Sequence, residues 1–217
     1  MATDKSEWVV GKVLARQARE RGERPFIQFE DGRPVSYAEA HELANRIGNA
    51  FHAEGVEFGE NVAVMLNNGL EYLWSWFGLN RIGAVIVAIN TAYKGRFLTH
   101  VLANTNSRFG VFEREYLPWL KDIEDTVPNM ETVFVPGGSL SPEDIPDFKR
   151  IKVRCFAELM SASPDEIDVA ITYRDIGVIM FTSGTTGPSK GVLMPQGHLY
   201  TFGLGLPSFY YFFSRII

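Results

Sequence analysis

Cysteine is nearly absent from this chain: Cys155 stands alone among 217 residues. A single thiol cannot close an internal disulfide, which excludes a disulfide-stapled secreted fold and fits a reducing cytoplasm. With no neighbouring Cys or His to share a metal or activate a thiolate, Cys155 reads as a small buried apolar residue. Positive charge is also short, since 21 Lys and Arg against 26 Asp and Glu leave a net charge of −5. That balance gives no basic footprint for nucleic acid and no attraction to an anionic membrane surface. A secretory segment is missing from the Met1 end, where Asp4, Lys5 and Glu7 interrupt any apolar run. Residues 191–214 carry no Asp, Glu, Lys or Arg. Pro195, Gln196, His198, Thr201, Pro207 and Ser208 nevertheless break them up too often for the ~20 apolar residues of a spanning helix. A buried strand–turn–helix is expected there instead. The remaining composition, 46% hydrophobic and 22% charged, is that of a folded globular protein.

The run Phe181-Thr182-Ser183-Gly184-Thr185-Thr186-Gly187-Pro188-Ser189-Lys190-Gly191 follows the apolar segment Ile176 to Met180 and reads as a strand opening into a phosphate-binding loop. Gly184, Gly187 and Gly191 permit positive φ and leave amide N–H groups uncovered, so that they can converge on an anion. Hydroxyls on Thr182, Ser183, Thr185 and Thr186 add donors that rotate to suit phosphate oxygens. Lys190 adds a mobile point charge. The commonest phosphate loop, G-x-x-x-x-G-K-[ST], is excluded, because Ser189 precedes Lys190 and Gly191 follows it. The G-x-G-x-x-G dinucleotide fingerprint is excluded as well, because Thr185-Thr186 separate Gly184 from Gly187.

This run resembles, nearly letter for letter, the phosphate-loop signature of the adenylate-forming (AMP-binding) superfamily, which includes acyl-CoA synthetases, luciferases and peptide-synthetase adenylation domains. Upstream, Val35-Ser36-Tyr37-Ala38-Glu39-Ala40 is similar to the family's "Thr-Tyr-x-Glu-Leu" segment, and Gly59 to Leu66 to its "G-D-x-V-A-x-x-L" strand. Leu79 to Asn90 resembles the segment that ends in "Asn-Pro", with Thr91 in place of the proline. The flavour is closer to acyl-CoA synthetases than to peptide-synthetase domains. The resemblance implies an α/β fold, a layered and mostly parallel sheet flanked by helices. It also implies an acid–thiol ligase that uses ATP, Mg²⁺ and coenzyme A: a carboxylic acid is activated as its acyl-adenylate and passed to the CoA thiol. Thr182, Ser183, Gly184, Thr185, Thr186, Gly187 and Lys190 are the expected nucleotide contacts. The metal-binding acidic segment, the adenine site and the catalytic lysine of the small C-terminal domain have no counterpart in these residues. Residues 1–217 are therefore read as a partial N-terminal AMP-binding domain without the C-terminal domain, with residues 206–217 as a tail outside the family pattern and no activity expected of the chain by itself. On the residues alone, another nucleotide-binding phosphotransferase and a non-catalytic interaction domain stay open.

Hydrophobic periodicity alternates between strand and helix along the chain. A helix is predicted over Val9 to Arg21, a hairpin around Asp31-Gly32, and a second helix from the N-cap Ser36 to Gly55. Apolar β-branched runs at Val62 to Leu66 and Ala84 to Ile89 read as parallel strands covered on both faces, joined by a helix over Leu70 to Arg81. Further helices are predicted at Gly95 to Thr105 and Tyr116 to Glu124, with strands at Arg108 to Phe112, Thr132 to Val135 and Ile176 onward. The stretch from Ser139 to Asp168 reads as a solvent-facing excursion within one domain, with a short helix near Cys155 to Met160.

Most other reactive-looking residues have packing or surface readings. Trp74, Trp76 and Phe77 fall within one predicted helix and read as core. His41, His52 and His100 lack ligand-spaced partners and read as surface or packing residues. Glu113-Arg114-Glu115 reads as a solvated turn. Family members carry a histidine shortly after the loop; Gln196 holds that position here and His198 lies two residues on, a candidate for orienting a substrate carboxylate.

Overall fold

The computed structural model describes residues 4–182 and 189–203. The first helix, α1 (Val10–Arg21), is followed by the antiparallel pair β1 (Pro25–Ile27) and β2 (Val35–Ser36). Helix α2 (Tyr37–Ala53) starts where Ser36 Oγ accepts the amide of Glu39 at 3.1 Å, as the sequence predicts. The side chain of Glu39 turns outward to pair with Arg33.

The remaining strands form one seven-stranded sheet in the order β7-β6-β5-β3-β4-β8-β9. Its members are β3 (Asn61–Met65), β4 (Val85–Ala88), β5 (Phe109–Phe112), β6 (Thr132–Val135), β7 (Lys152–Cys155), β8 (Ile176–Thr182) and β9 (Lys190–Pro195). All neighbours pair in parallel except β8 with β9. Because successive side chains on a strand point to opposite faces, Val62 and Val64 of β3 face one core while Ala63 and Met65 face the other. The first core also takes Leu14 of α1, Ile47 and Phe51 of α2, and Trp74 and Leu79 of α3 (Leu70–Arg81). The second takes Leu98, Val101 and Leu102 of α4 (Arg96–Thr105) and Leu117 and Leu120 of α5 (Leu117–Asp122). The expected α/β class and the mostly parallel, helix-flanked sheet are both present. No helix among the described residues is long and apolar enough to cross a membrane.

Three local readings are corrected by the structure. Within the Ser139 to Asp168 excursion, Lys152–Cys155 forms the edge strand β7 against β6, and the turns of Phe156–Ser161 are 3₁₀ rather than α. Lys152 and Arg154 masked this strand, yet charged side chains are what a sheet edge tolerates. Cys155 ends that strand half-buried, its thiol donating to the Gly137 carbonyl at 3.0 Å, and is not a core residue. The strand after the loop, β9, is an edge strand with Val192 and Leu193 exposed rather than a buried one.

Candidate phosphate-binding site

Parallel pairing of β8 with β4 aligns Ile86 with Val178, Val87 with Ile179 and Ala88 with Met180. Val178 and Ile179 are buried, so they fix the strand in the sheet, while Met180 and Thr182 emerge at its carboxyl end. From β4 the chain crosses back over β3 to β5, whereas from β8 it turns the opposite way into β9. Connections that diverge in this manner leave a crevice at the carboxyl ends of the two strands, where open α/β sheets bind ligands. The candidate loop opens at this point.

Its two ends are fixed by antiparallel register, Phe181 opposite Gly191 and Thr182 opposite Lys190. The Thr182 hydroxyl reaches the Lys190 carbonyl at 3.5 Å, the outer limit of a hydrogen bond. Lys190 is exposed, with its charge available to an anion at the mouth of the hairpin. Thr182 and Lys190 are thus placed together, at the two ends of the run. Ser183, Gly184, Thr185, Thr186 and Gly187 lie outside the described residues.

Sequence reasoning passed over one residue at this hairpin. His100, on α4, places Nε2 2.9 Å from the carbonyl oxygen of Ser189. Its ring meets Phe181 edge-on with centroids 6.3 Å apart. A spacing rule could not find it, because 89 residues separate His100 from Ser189 and only the packing of α4 beside β8 brings them together.

The other histidines behave differently. His198 lies exposed in the helix over residues 196–203, its ring 4.9 Å from that of Phe202. Gln196, at the position where the resemblance places a histidine, is fully buried. Its amide donates to Asn80 Oδ1 at 2.6 Å, and its Oε1 accepts the Val10 amide at 3.0 Å. The N-cap residue of α1, Val9, offers no side-chain acceptor. Gln196 therefore satisfies an amide of the first turn from far along the chain. His41, read as a surface or packing residue, bonds Glu166 at 2.8 Å, and Arg81 reaches the other oxygen of that carboxylate at 3.2 Å. Trp74 is buried, as its core reading requires.

Acidic groups gather at the carboxyl ends of β3 and β5. Asn67 accepts from the Tyr116 hydroxyl at 2.6 Å and donates to Glu115 at 2.9 Å. Burial raises the Glu113 carboxyl above its ordinary range, the backbone N–H of Asn67 opposes this, and Glu71 and Glu115 add to the rise. Arg114 leaves this group to pair with Asp144 at 2.8 Å. Among the described residues no cluster of His, Cys, Asp or Glu is placed to hold a metal ion.

Among known families, the model of the AMP-binding enzymes matches residues 14–212. The chain belongs to the AMP-binding enzyme family. Among curated relatives of this AMP-binding chain, the crotonobetaine/carnitine–CoA ligase of Citrobacter koseri is 34% identical over 186 residues, which is 82% of this chain and 34% of the relative. The same enzyme of Salmonella enteritidis is 31% identical over 184 residues, with the same coverage. The AMP-binding chain thus spans about a third of the length of these relatives. Among solved structures, an anthranilate–CoA ligase in complex with anthranoyl-AMP superposes with a TM-score of 0.78 at 25% identity, over 87% of this chain and 35% of that one. A long-chain fatty-acid–CoA ligase of Archaeoglobus fulgidus also gives 0.78 at 25% identity, over 95% of this chain and 40% of that one.

Proposed function

We propose that this AMP-binding chain is the N-terminal part of the large domain of a cytoplasmic ATP-dependent carboxylic acid–CoA ligase, in which it holds the pyrophosphate that leaves when the acid is adenylated. The observation that carries this reading is the pairing of Thr182 with Lys190 at the carboxyl end of β8, the two residues that bound a run of phosphate-binding composition in the sequence. The relatives named as CoA ligases support the reaction class.

In the proposed reaction a substrate carboxylate oxygen attacks the α-phosphorus of ATP. The bond from that phosphorus to the α,β-bridging oxygen breaks, and pyrophosphate departs. The sulfur of coenzyme A then attacks the acyl carbon, the carbon–oxygen bond to the phosphate breaks, and AMP leaves. This chain supplies no nucleophile for either step. Loop N–H groups, the Thr and Ser hydroxyls and the Lys190 ammonium orient and neutralise the β- and γ-phosphates, and removing one preorganised donor of this kind costs on the order of 10²–10³ in rate. Magnesium, when bound, would add charge neutralisation at the leaving pyrophosphate.

The test is ATP–pyrophosphate exchange by the full-length protein with Mg²⁺ and a panel of aliphatic and aryl carboxylic acids, beside a Lys190→Ala variant. Exchange that requires an acid, and that falls at least tenfold in the variant at unchanged melting temperature, is expected. Release of γ-phosphate without pyrophosphate would establish a phosphotransferase instead. Unaltered folding with no nucleotide turnover for any acid would point to an interaction domain.

A further inference from the structure

We infer that His100 is a positioning residue that sets the aim of Lys190. This rests on residues 182–191 being the phosphate-binding segment. The peptide that joins Ser189 to Lys190 is planar, so the direction of the Ser189 carbonyl fixes the direction of the Lys190 N–H. That carbonyl is held by His100 Nε2 at 2.9 Å, and since a carbonyl can only accept, the ring proton stands on Nε2. The tautomer is set from the other side: Asn104, one helical turn on, donates to His100 Nδ1 at 3.1 Å and to the His100 carbonyl at 2.6 Å. Ser189 is buried, and its hydroxyl has no partner among the described residues, so its side chain adds no second tether. The same imidazole packs edge-on against Phe181, which stands opposite Gly191. One ring thus touches the hairpin at Phe181 of β8 and at Ser189, the residue just before β9. Its support is rigid, because Leu98, Val101 and Leu102 anchor α4 in the second core.

The donor and the ring can be separated by substitution. His100→Gln keeps a terminal N–H donor at about the reach of Nε2 and loses the ring. His100→Phe keeps the ring against Phe181 and loses the donor, leaving a buried carbonyl without its partner. In the full-length protein, His100→Phe is expected to raise the KM for ATP in pyrophosphate exchange on the order of tenfold, with kcat changed less, while His100→Gln stays within about threefold of wild type. Independently of any nucleotide, tryptic cleavage after Lys190 should be on the order of tenfold faster in His100→Phe than in wild type or His100→Gln, at a melting temperature that leaves the fold intact. The proteolysis arm reports the tether even if the protein turns over no ATP, so failure of the functional reading and failure of this inference are distinguishable. Equal cleavage after Lys190 in all three proteins would overturn the inference, as would a His100→Gln variant as impaired as His100→Phe.

Discussion

Glu124 is a carboxylate that burial alone would push towards its neutral form. Its side chain is 2% exposed, yet the amides of Lys149, Arg150 and Ile151 donate to it at 3.1, 2.7 and 3.2 Å. Lys121 Nζ approaches at 3.0 Å. These four partners overcome desolvation and hold the group at about 2, against an ordinary 4.5. A folded-state value below the unfolded one means that the ionised carboxylate is favoured by folding. Its stabilisation is therefore complete above pH 4.5 and disappears as the pH falls from there towards about 2. Thermal melts across this range should show an acid limb that Glu124→Gln flattens, and Glu124→Ala should cost about 3 kcal/mol at neutral pH by leaving buried amides unpaired. An acid limb identical in wild type and Glu124→Gln would assign it to other carboxylates.

Helices α2 and α3 meet at two glycines, and the meeting point admits no side chain. A Cβ on Gly78 would lie 2.5 Å from Ile47 Cγ2 and 2.6 Å from Ile47 Cβ. One on Gly48 would lie 2.9 Å from the Gly78 carbonyl oxygen. Backbones this close let α2 and α3 cover the first core side by side, which explains glycine in two helix interiors where alanine has the better propensity. Gly78→Ala is expected to destabilise by about 1–3 kcal/mol through overpacking. Gly138→Ala is the control, because a Cβ there meets nothing within 4 Å. A differential scanning measurement in which the two variants melt together would refute the packing argument. Gly177 of β8 is similarly confined, with Asn80 Oδ1 2.6 Å and Gln196 Nε2 2.8 Å from the position of a Cβ. There the room is taken by the buried amide pair that links α3 to the helix after β9.

At the scale of the whole molecule, the described residues cover both faces of the sheet over β3, β4 and β5 and cover it less towards β9. Met180 is 44% exposed, Leu193 58% and Phe202 57%. Large exposed apolar side chains on and around a sheet edge favour self-association. The 217-residue chain spans 34% of the length of its curated relatives, and among its described residues no cluster of His, Cys, Asp or Glu is placed to hold a metal ion. Assayed by itself with ATP, Mg²⁺, coenzyme A and a carboxylic acid that the full-length protein accepts, it is expected to form neither acyl-adenylate nor thioester. Monodisperse material turning over on the order of 1 s⁻¹ would overturn this expectation.

Local chemistry by itself determines much of this protein. Hydrophobic β-branched runs at Val62 to Leu66 and Ala84 to Ile89 read as strands covered on both faces, and they are. Ser36 could cap a helix, and the composition of residues 181–191 suits an anion. Each of these depends on neighbours in sequence, so a linear reading reaches it. Contacts made across the chain were decided by tertiary structure alone. Lys152–Cys155 became a strand because β6 had a free edge beside it. Gln196 became a buried cap for α1, across 186 residues, because the helix after β9 packs back beside the N-terminus. His100 reached Ser189 because β8 returns next to β4, the strand that feeds α4. The physical reason is common to all three: a hydrogen bond or an edge pairing depends on distance in space, and only the folded sheet sets that distance.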